Sequence, residues 1–175
     1  MRIAHIAIDR AHTTASDIAS YFPLTAMMKL AEAGYIGSVS PRFYGLPTNR
    51  SQRTTRDIDC PALLAYCQDD IVDAVVMVPN CPVCHQSVAI AAHCLESAGI
   101  ATVIMGCARD IAEYVGVPRL LFSDLPLGNA AGLPHDPDSQ NLVTQLAVVL
   151  LAEAPALRTT RQSPLIWSGA PDWKK

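Results

Sequence analysis

Two cysteines three positions apart, Cys81 and Cys84, stand directly before His85 in the run Val78-Pro79-Asn80-Cys81-Pro82-Val83-Cys84-His85. Three chemistries share that spacing. A vicinal thiol pair can cycle between dithiol and disulfide. Two thiolates and an imidazole can hold zinc or another thiophilic metal. Cys-x-x-Cys-His also attaches c-type haem. Haem attachment takes place outside the bacterial cytoplasm, and the opening MRIAHIAIDR has no long apolar run, because Asp9 and Arg10 interrupt it early. That is not a secretory signal, which argues against haem. A structural zinc site needs two further ligands, and there is no second Cys-x-x-Cys. Cys81, Cys84 and His85, with His5, His12 or Cys107, would have to converge through the fold. Metal binding is therefore the alternative to thiol redox chemistry.

The elements around the pair favour the redox reading. Asp73–Pro79 is a continuous Ala/Val/Met run, as expected for a strand buried on both faces. Pro82 suits the first position of a helix running to Ala98 and stopped by Gly99. Cys81 then falls at the start of a helix, just beyond the carboxyl end of a parallel strand, where open α/β sheets bind ligands. Unpaired N–H groups and the helix dipole favour an anion there. Such sites lower a thiol pKa from about 8.5 to roughly 3.5–7.5. Cys81 is thus the expected nucleophile, and Cys84, one turn on, the thiol that resolves an intermediate. Cys60, Cys67, Cys94 and Cys107 read as small buried hydrophobes.

Apolar runs alternate with helical patterns through the rest of the chain, the mark of an α/β fold. We expect a three-layer domain over residues 1–155, with a mainly parallel sheet of about four or five strands, Rossmann- or flavodoxin-like. Strands are expected at Arg2–Ile8, Val39–Tyr44, Thr102–Met105 and Arg119–Ser123, besides Asp73–Pro79. A helix opens at Pro23 and stops near Gly34. Residues 45–56 read as an exposed loop carrying Arg50, Arg53 and Arg56. Asp59 caps a further helix with Pro61 in its first turn. Asp136 and Pro137 open a last helix that buries Leu142, Val143, Leu146, Val149 and Leu150. Residues 156–175 read as a tail packing on the domain or on a partner.

The 175 residues are 50% hydrophobic and 17% charged, with a formal net charge of −3. With aromatics at 6%, this composition argues against a nucleic-acid binder. No apolar run reaches the length of a membrane span. Six cysteines in a chain without a leader point to a reducing, cytoplasmic setting.

Three blocks resemble the selenoprotein B family of the glycine, sarcosine, betaine and D-proline reductases. They are DAVVMVPNCPVCHQSV with LESAGIATV, then PRLLFSDLPLGNAAGLPHDPDSQ, and earlier HIAID with DIASYFPLTAMMKLAEAGYIGSVSPRFYG. Together they cover most of residues 3 to 151. The resemblance implies a reductase subunit whose chalcogen nucleophile cleaves a C–N or similar bond of a small amino-acid-like substrate. The substrate is held by a pyruvoyl group on a partner subunit, and an external dithiol resets the pair. No cofactor is expected on this chain itself.

Cys81 takes the position of the family's selenocysteine or cysteine, and Cys84 that of the resolving thiol. His5, Asp9, Asp17, Gly128 and Asn129 fall on family positions for substrate binding or acid–base work, and His85 is a further candidate. Bland readings stand beside these: a core histidine for His5, a turn cap for Asp17, an ordinary turn for Gly128-Asn129. The sequence departs from the family in having cysteine as the nucleophile and Ala19 where the family has asparagine. It also reaches the His–Asp block almost at once, where relatives carry earlier strands. A homo-oligomer or a partner subunit is therefore expected to complete the site. A third reading is a cofactor-free racemase, since strand-Asn-Cys is similar to aspartate/glutamate racemases. Its second cysteine would have to be Cys107, which lies too near Cys81 in sequence for the two halves of that fold.

Overall fold

The computed structural model describes residues 7–154, 158–167 and 173–174. The order of elements is α1 (Leu24–Glu32), α2 (Gln52–Thr54), a π-helical segment (Thr55–Asp59), α3 (Cys60–Asp69), β1 (Ala74–Met77), α4 (Pro82–Ser97), β2 (Ala101–Gly106), α5 (Arg109–Val115), β3 (Arg119–Phe122), α6 (Pro137–Glu153) and β4 (Thr159–Gln162). Among the described residues the sheet has four strands in the order β1-β2-β3-β4, and every pairing is parallel. This is the three-layer α/β fold expected from the alternating pattern.

Strand periodicity sorts the core into two layers. On one face Met77, Ile104, Leu120 and Phe122 pack with Ala89, Ala92 and Leu95 of α4 and Ala112 of α5. On the other, Val103, Met105 and Leu121 pack with Val143, Ala147 and Leu150 of α6. Both faces are covered, so β2 and β3 are apolar at nearly every position. The polar ends are tied as well. Glu96, near the end of α4, accepts hydrogen bonds from Thr102 N at 2.6 Å, Thr102 Oγ1 at 2.8 Å and Arg119 Nη1 at 2.6 Å. It is a half-buried strut between helix and sheet, not a residue of the solvent face.

Several expectations change. Of the expected strand Arg2–Ile8, residues 2–6 lie outside the described residues, and Ala7 and Ile8 form a turn and bend. Val39–Tyr44 is not a strand. Pro41 lacks the N–H a ladder needs, and the segment is fastened to α3 by Arg42 Nε at 2.9 Å from both oxygens of Asp70. The expected loop ends early, because Ser51 caps α2 by accepting Thr54 N at 3.2 Å. Asp59 is not a cap: it lies inside a continuous helical run and makes no capping bond. Pro61 stands within that run rather than at its start. A proline inside a helix disturbs the turn before it, and the five residues before Cys60 take the wider π form.

In α6, Asp136 caps as expected by accepting Ser139 N at 3.1 Å, but Leu142 is 40% exposed rather than buried. Pro155 lies outside the described residues. Within the expected tail, Thr159–Gln162 forms β4 beside β3. Trp173 Nε1 donates to Asp124 O at 3.1 Å.

Candidate functional site

Strand β1 is not buried on both faces as expected: among the described residues it is an edge strand, with Ala74 exposed, Val75 and Val76 half-buried and only Met77 buried. It delivers the chain through Val78, Pro79 and Asn80 to Cys81, which takes extended backbone angles and caps α4. Its Sγ accepts the backbone N–H of Cys84 at 3.2 Å. The sulfur therefore occupies the place an aspartate or serine oxygen takes at a helix start, at the positive end of a 16-residue helix. Pro82 lies in the first turn, where its missing N–H costs no hydrogen bond. Cys84 stands one turn on, with the two Cα atoms 5.1 Å apart and the sulfurs in disulfide contact. Cys81 is 4% and Cys84 9% exposed. Thr48, in the stretch ahead of α2, places Oγ1 at 3.4 Å from Cys84 Sγ.

His85 is fully buried. Its Nε2 accepts two backbone N–H groups, from Cys107 at 3.0 Å and Ala108 at 3.1 Å. The ring proton therefore sits on Nδ1, which donates to Cys81 O at 2.8 Å. The ring bridges the cysteine turn after β1 to the turn after β2. Gly106 makes room for it, since a Cβ there would stand 3.1 Å from His85 Cδ2 and Nε2. With both nitrogens engaged by backbone, His85 is a strut here. It is neither an exchangeable acid or base nor a ligand beside the two sulfurs. Among the described residues no three His, Cys, Asp or Glu side chains converge as a metal-binding group.

Burial holds the His85 pKa below the ordinary 6.5 despite its bond to Cys81. The sign follows from linkage. Above pH 6.5 both folded and unfolded chains carry a neutral ring. Below it the unfolded chain takes the proton first, so stability falls as the pH drops. We expect the melting temperature to decline on acidification from pH 7 to 5. His85→Leu, measured at pH 7.5, should be destabilised by about 2–4 kcal/mol, because one carbonyl and two N–H groups lose their partner. The variant should also lose this part of the acid sensitivity. A pH profile unchanged by the substitution would contradict the strut.

The other predicted residues gather elsewhere at the loop after β3. Asp9 N donates to Leu127 O at 3.0 Å, and Ala131 N to Ser20 O at 2.8 Å. Asn129 is fully buried. Its Oδ1 accepts Thr13 Oγ1 at 3.3 Å, and its Nδ2 donates to Pro126 O at 3.4 Å. Gly128 faces Ile8 and Ala15. Gly128 and Asn129 pack inward against segment 8–20 rather than opening outward.

Asp9 Oδ2 pairs with His12 Nδ1 at 2.9 Å. Asp17 Oδ1 caps the short turn Ile18–Ser20 by accepting Ala19 N at 3.1 Å. Its Oδ2 accepts His135 N and Gln140 Nε2, each at 2.7 Å. Burial pushes the Asp17 pKa up, but these donors outweigh it and leave it below the ordinary value. Beside Asp17 a cleft of about 320 Å³ runs between α1 and α6, with Thr25, Lys29, His135 and Gln140 in its walls.

The structure thus joins Cys81, Cys84 and His85 in one group and Asp9, Asp17, Gly128 and Asn129 in another. No hydrogen bond among the described residues links the two directly. His5 lies outside the described residues. Sequence reasoning missed Thr48 and Gly106, and met Gln140 only as the last residue of a block resembling the family. A small residue ending a strand beside a buried histidine was the available signal for Gly106.

A parallel α/β sheet carries a vicinal cysteine pair at a helix start with the sulfurs in disulfide contact, an arrangement compatible with thiol redox chemistry. The chain is similar to D-proline reductase subunit gamma of Acetoanaerobium sticklandii, with 27% identity over 157 residues. The match covers 89% of this chain and 64% of that protein, so the chain spans less than two thirds of its relative. This bears out the reductase-family relationship read from the three sequence blocks. No family model and no solved structure matches the chain. Among the described residues no helix is long and apolar enough to cross a membrane.

Proposed function

We propose that the protein is a thiol-dependent reductase subunit that cleaves a C–N or similar bond of a small amino-acid-like substrate. The observation that carries this reading is Cys81 Sγ at the helix cap, receiving the Cys84 N–H at 3.2 Å with the Cys84 sulfur in contact. A thiolate at Cys81 is stabilised by that N–H and by the helix end. It attacks the carbon bearing nitrogen; the S–C bond forms, the C–N bond breaks, and the amine leaves with a proton. The Cys84 thiolate then attacks Cys81 Sγ. The S–S bond forms, the C–S bond breaks, and the carbon keeps the electron pair and takes a proton. An external dithiol returns the pair to thiols and is itself oxidised. The substrate gains two electrons, all of them from that dithiol.

In this reading the carbonyl that activates the substrate is a pyruvoyl group supplied by a partner subunit, and no residue of this chain has to hold it. A proline-like cyclic amine is the first substrate class to try, given the relative's name. A redox titration against dithiol buffers, quenched in acid and mapped by peptide mass, tests the core of the reading. We expect one reversible two-electron transition at Cys81–Cys84. Thiols that stay free in oxidising buffer, or a disulfide that no dithiol reverses, would overturn it.

A further inference from the structure

Each sulfur of the pair has its own hydrogen-bond donor, and the two donors come from different places. Cys81 Sγ receives the N–H of Cys84. That N–H is thereby committed, and Cys84 Sγ draws on Thr48 Oγ1 at 3.4 Å. A disulfide sulfur carries no proton, so in the oxidised pair the hydroxyl is the donor.

Thr48 is held in place from both sides. Leu46 packs against the core beneath α3 and α4. Asn49 donates from Nδ2 to Asp59 Oδ2 at 2.6 Å, and its Oδ1 accepts Ser51 N at 2.9 Å. The stretch therefore rests against the cap of α2, and the hydroxyl faces the sulfur without any rearrangement.

We propose that Thr48 is a positioning residue for Cys84 as the leaving and resolving thiolate. This rests on the reductase reading above. When a dithiol RS⁻ attacks Cys81 Sγ, an RS–SCys81 bond forms and the Cys81–Cys84 bond breaks. The electron pair goes to Cys84 Sγ, where the Thr48 hydroxyl donates to the new charge. The second thiolate of the reductant then attacks RS–SCys81 at the reductant sulfur. This closes the reductant's own disulfide and frees the Cys81 thiolate. The same hydroxyl favours the Cys84 thiolate in the forward direction, when it attacks the Cys81–substrate adduct. Charge-assisted hydrogen bonds are the strong ones, so the donor matters most when Cys84 is ionised.

The test compares wild type with Thr48→Val, which keeps the shape without the hydroxyl, and Thr48→Ser, which restores it. Two quantities are read: the rate of disulfide reduction by dithiothreitol across pH, and the pH profile of Cys84 alkylation in a Cys81→Ser background. Thr48→Val should slow reduction about tenfold and move Cys84 ionisation up by about one pH unit. Thr48→Ser should return both toward wild type, and all variants should melt alike because the residue is exposed and lies outside the core clusters. Thr48→Val indistinguishable from wild type, or Thr48→Ser as slow as Thr48→Val, would overturn the role of Thr48 alone. A wild-type disulfide that resists dithiol altogether would overturn the reductase reading instead.

Discussion

Replacing Cys81 by serine should abolish dithiol-driven turnover, by at least about a thousandfold, and leave Cys84 unable to close its disulfide. The argument is chemical before it is structural. A serine hydroxyl is barely ionised at neutral pH and lacks the nucleophilicity of a thiolate, and it offers Cys84 no sulfur to attack. Losing one member of a catalytic unit commonly removes most of its rate enhancement. The fold should survive, since serine is a good helix cap and its oxygen can take the Cys84 N–H in place of sulfur. Melting under reducing conditions should therefore change little. Cys84→Ser separates the two steps: it keeps the nucleophile but should accumulate a covalent substrate adduct on Cys81, visible by intact mass. Residual turnover in Cys81→Ser above a few per cent of wild type would place the nucleophile elsewhere.

A large effect on stability, comparable with that of His85→Leu, is expected at Gly132→Ala, a loss of about 3 kcal/mol. Gly132 has a φ of +124°, which L side chains rarely adopt. A Cβ there would stand 2.8 Å from Gln140 Cα and 2.9 Å from Gln140 N. Those atoms belong to the first turn of α6 and cannot swing aside as a side-chain end would. Relief would have to come from shifting the helix start, where Gln140 Nε2 holds both Asp17 Oδ2 at 2.7 Å and Leu133 O at 2.8 Å. Urea unfolding of the two proteins measures the difference. Gly45→Ala is the control, with nothing within 4 Å of the added methyl, and should fall within about 0.5 kcal/mol of wild type. A Gly132→Ala midpoint equal to that of the control would contradict the account of this turn.

The parts of the fold readable from sequence are those specified locally. The Val-rich run before Cys81 announced a strand, although as an edge strand it is only partly buried, and Cys81-Pro82 announced the start of a helix, because proline has few other helical places. Asp136-Pro137 announced α6 by the same logic. Other features depend on partners far along the chain. His85 looked like a candidate acid, base or ligand, but its ring is filled by N–H groups from residues 107 and 108, beyond an intervening helix and strand.

The Gly128-Asn129 loop carried a turn signal, while the contact with Thr13 that turns Asn129 inward spans 116 residues. The polar run Thr159–Gln162 shows no apolar period, so its place beside β3 could not be seen. Pro61 followed the rule for a helix start although the helix had begun nine residues earlier, at Gln52. A cap at Ser51 and a proline at 61 each suit a start, and only the packed structure decides between them.

The most direct measurement on the central claim is the pH dependence of alkylation at each cysteine of the reduced protein, read by peptide mass with and without a chelator. Burial pushes the Cys60 and Cys107 thiols up to about 12, so both should stay silent near neutrality. Cys81, with the Cys84 N–H on its sulfur and a helix end behind it, should react with a midpoint below about pH 8, chelator or not. Protection of both Cys81 and Cys84 until chelator is added, or a Cys81 midpoint at or above that of an ordinary thiol, would contradict an activated nucleophile at the start of α4.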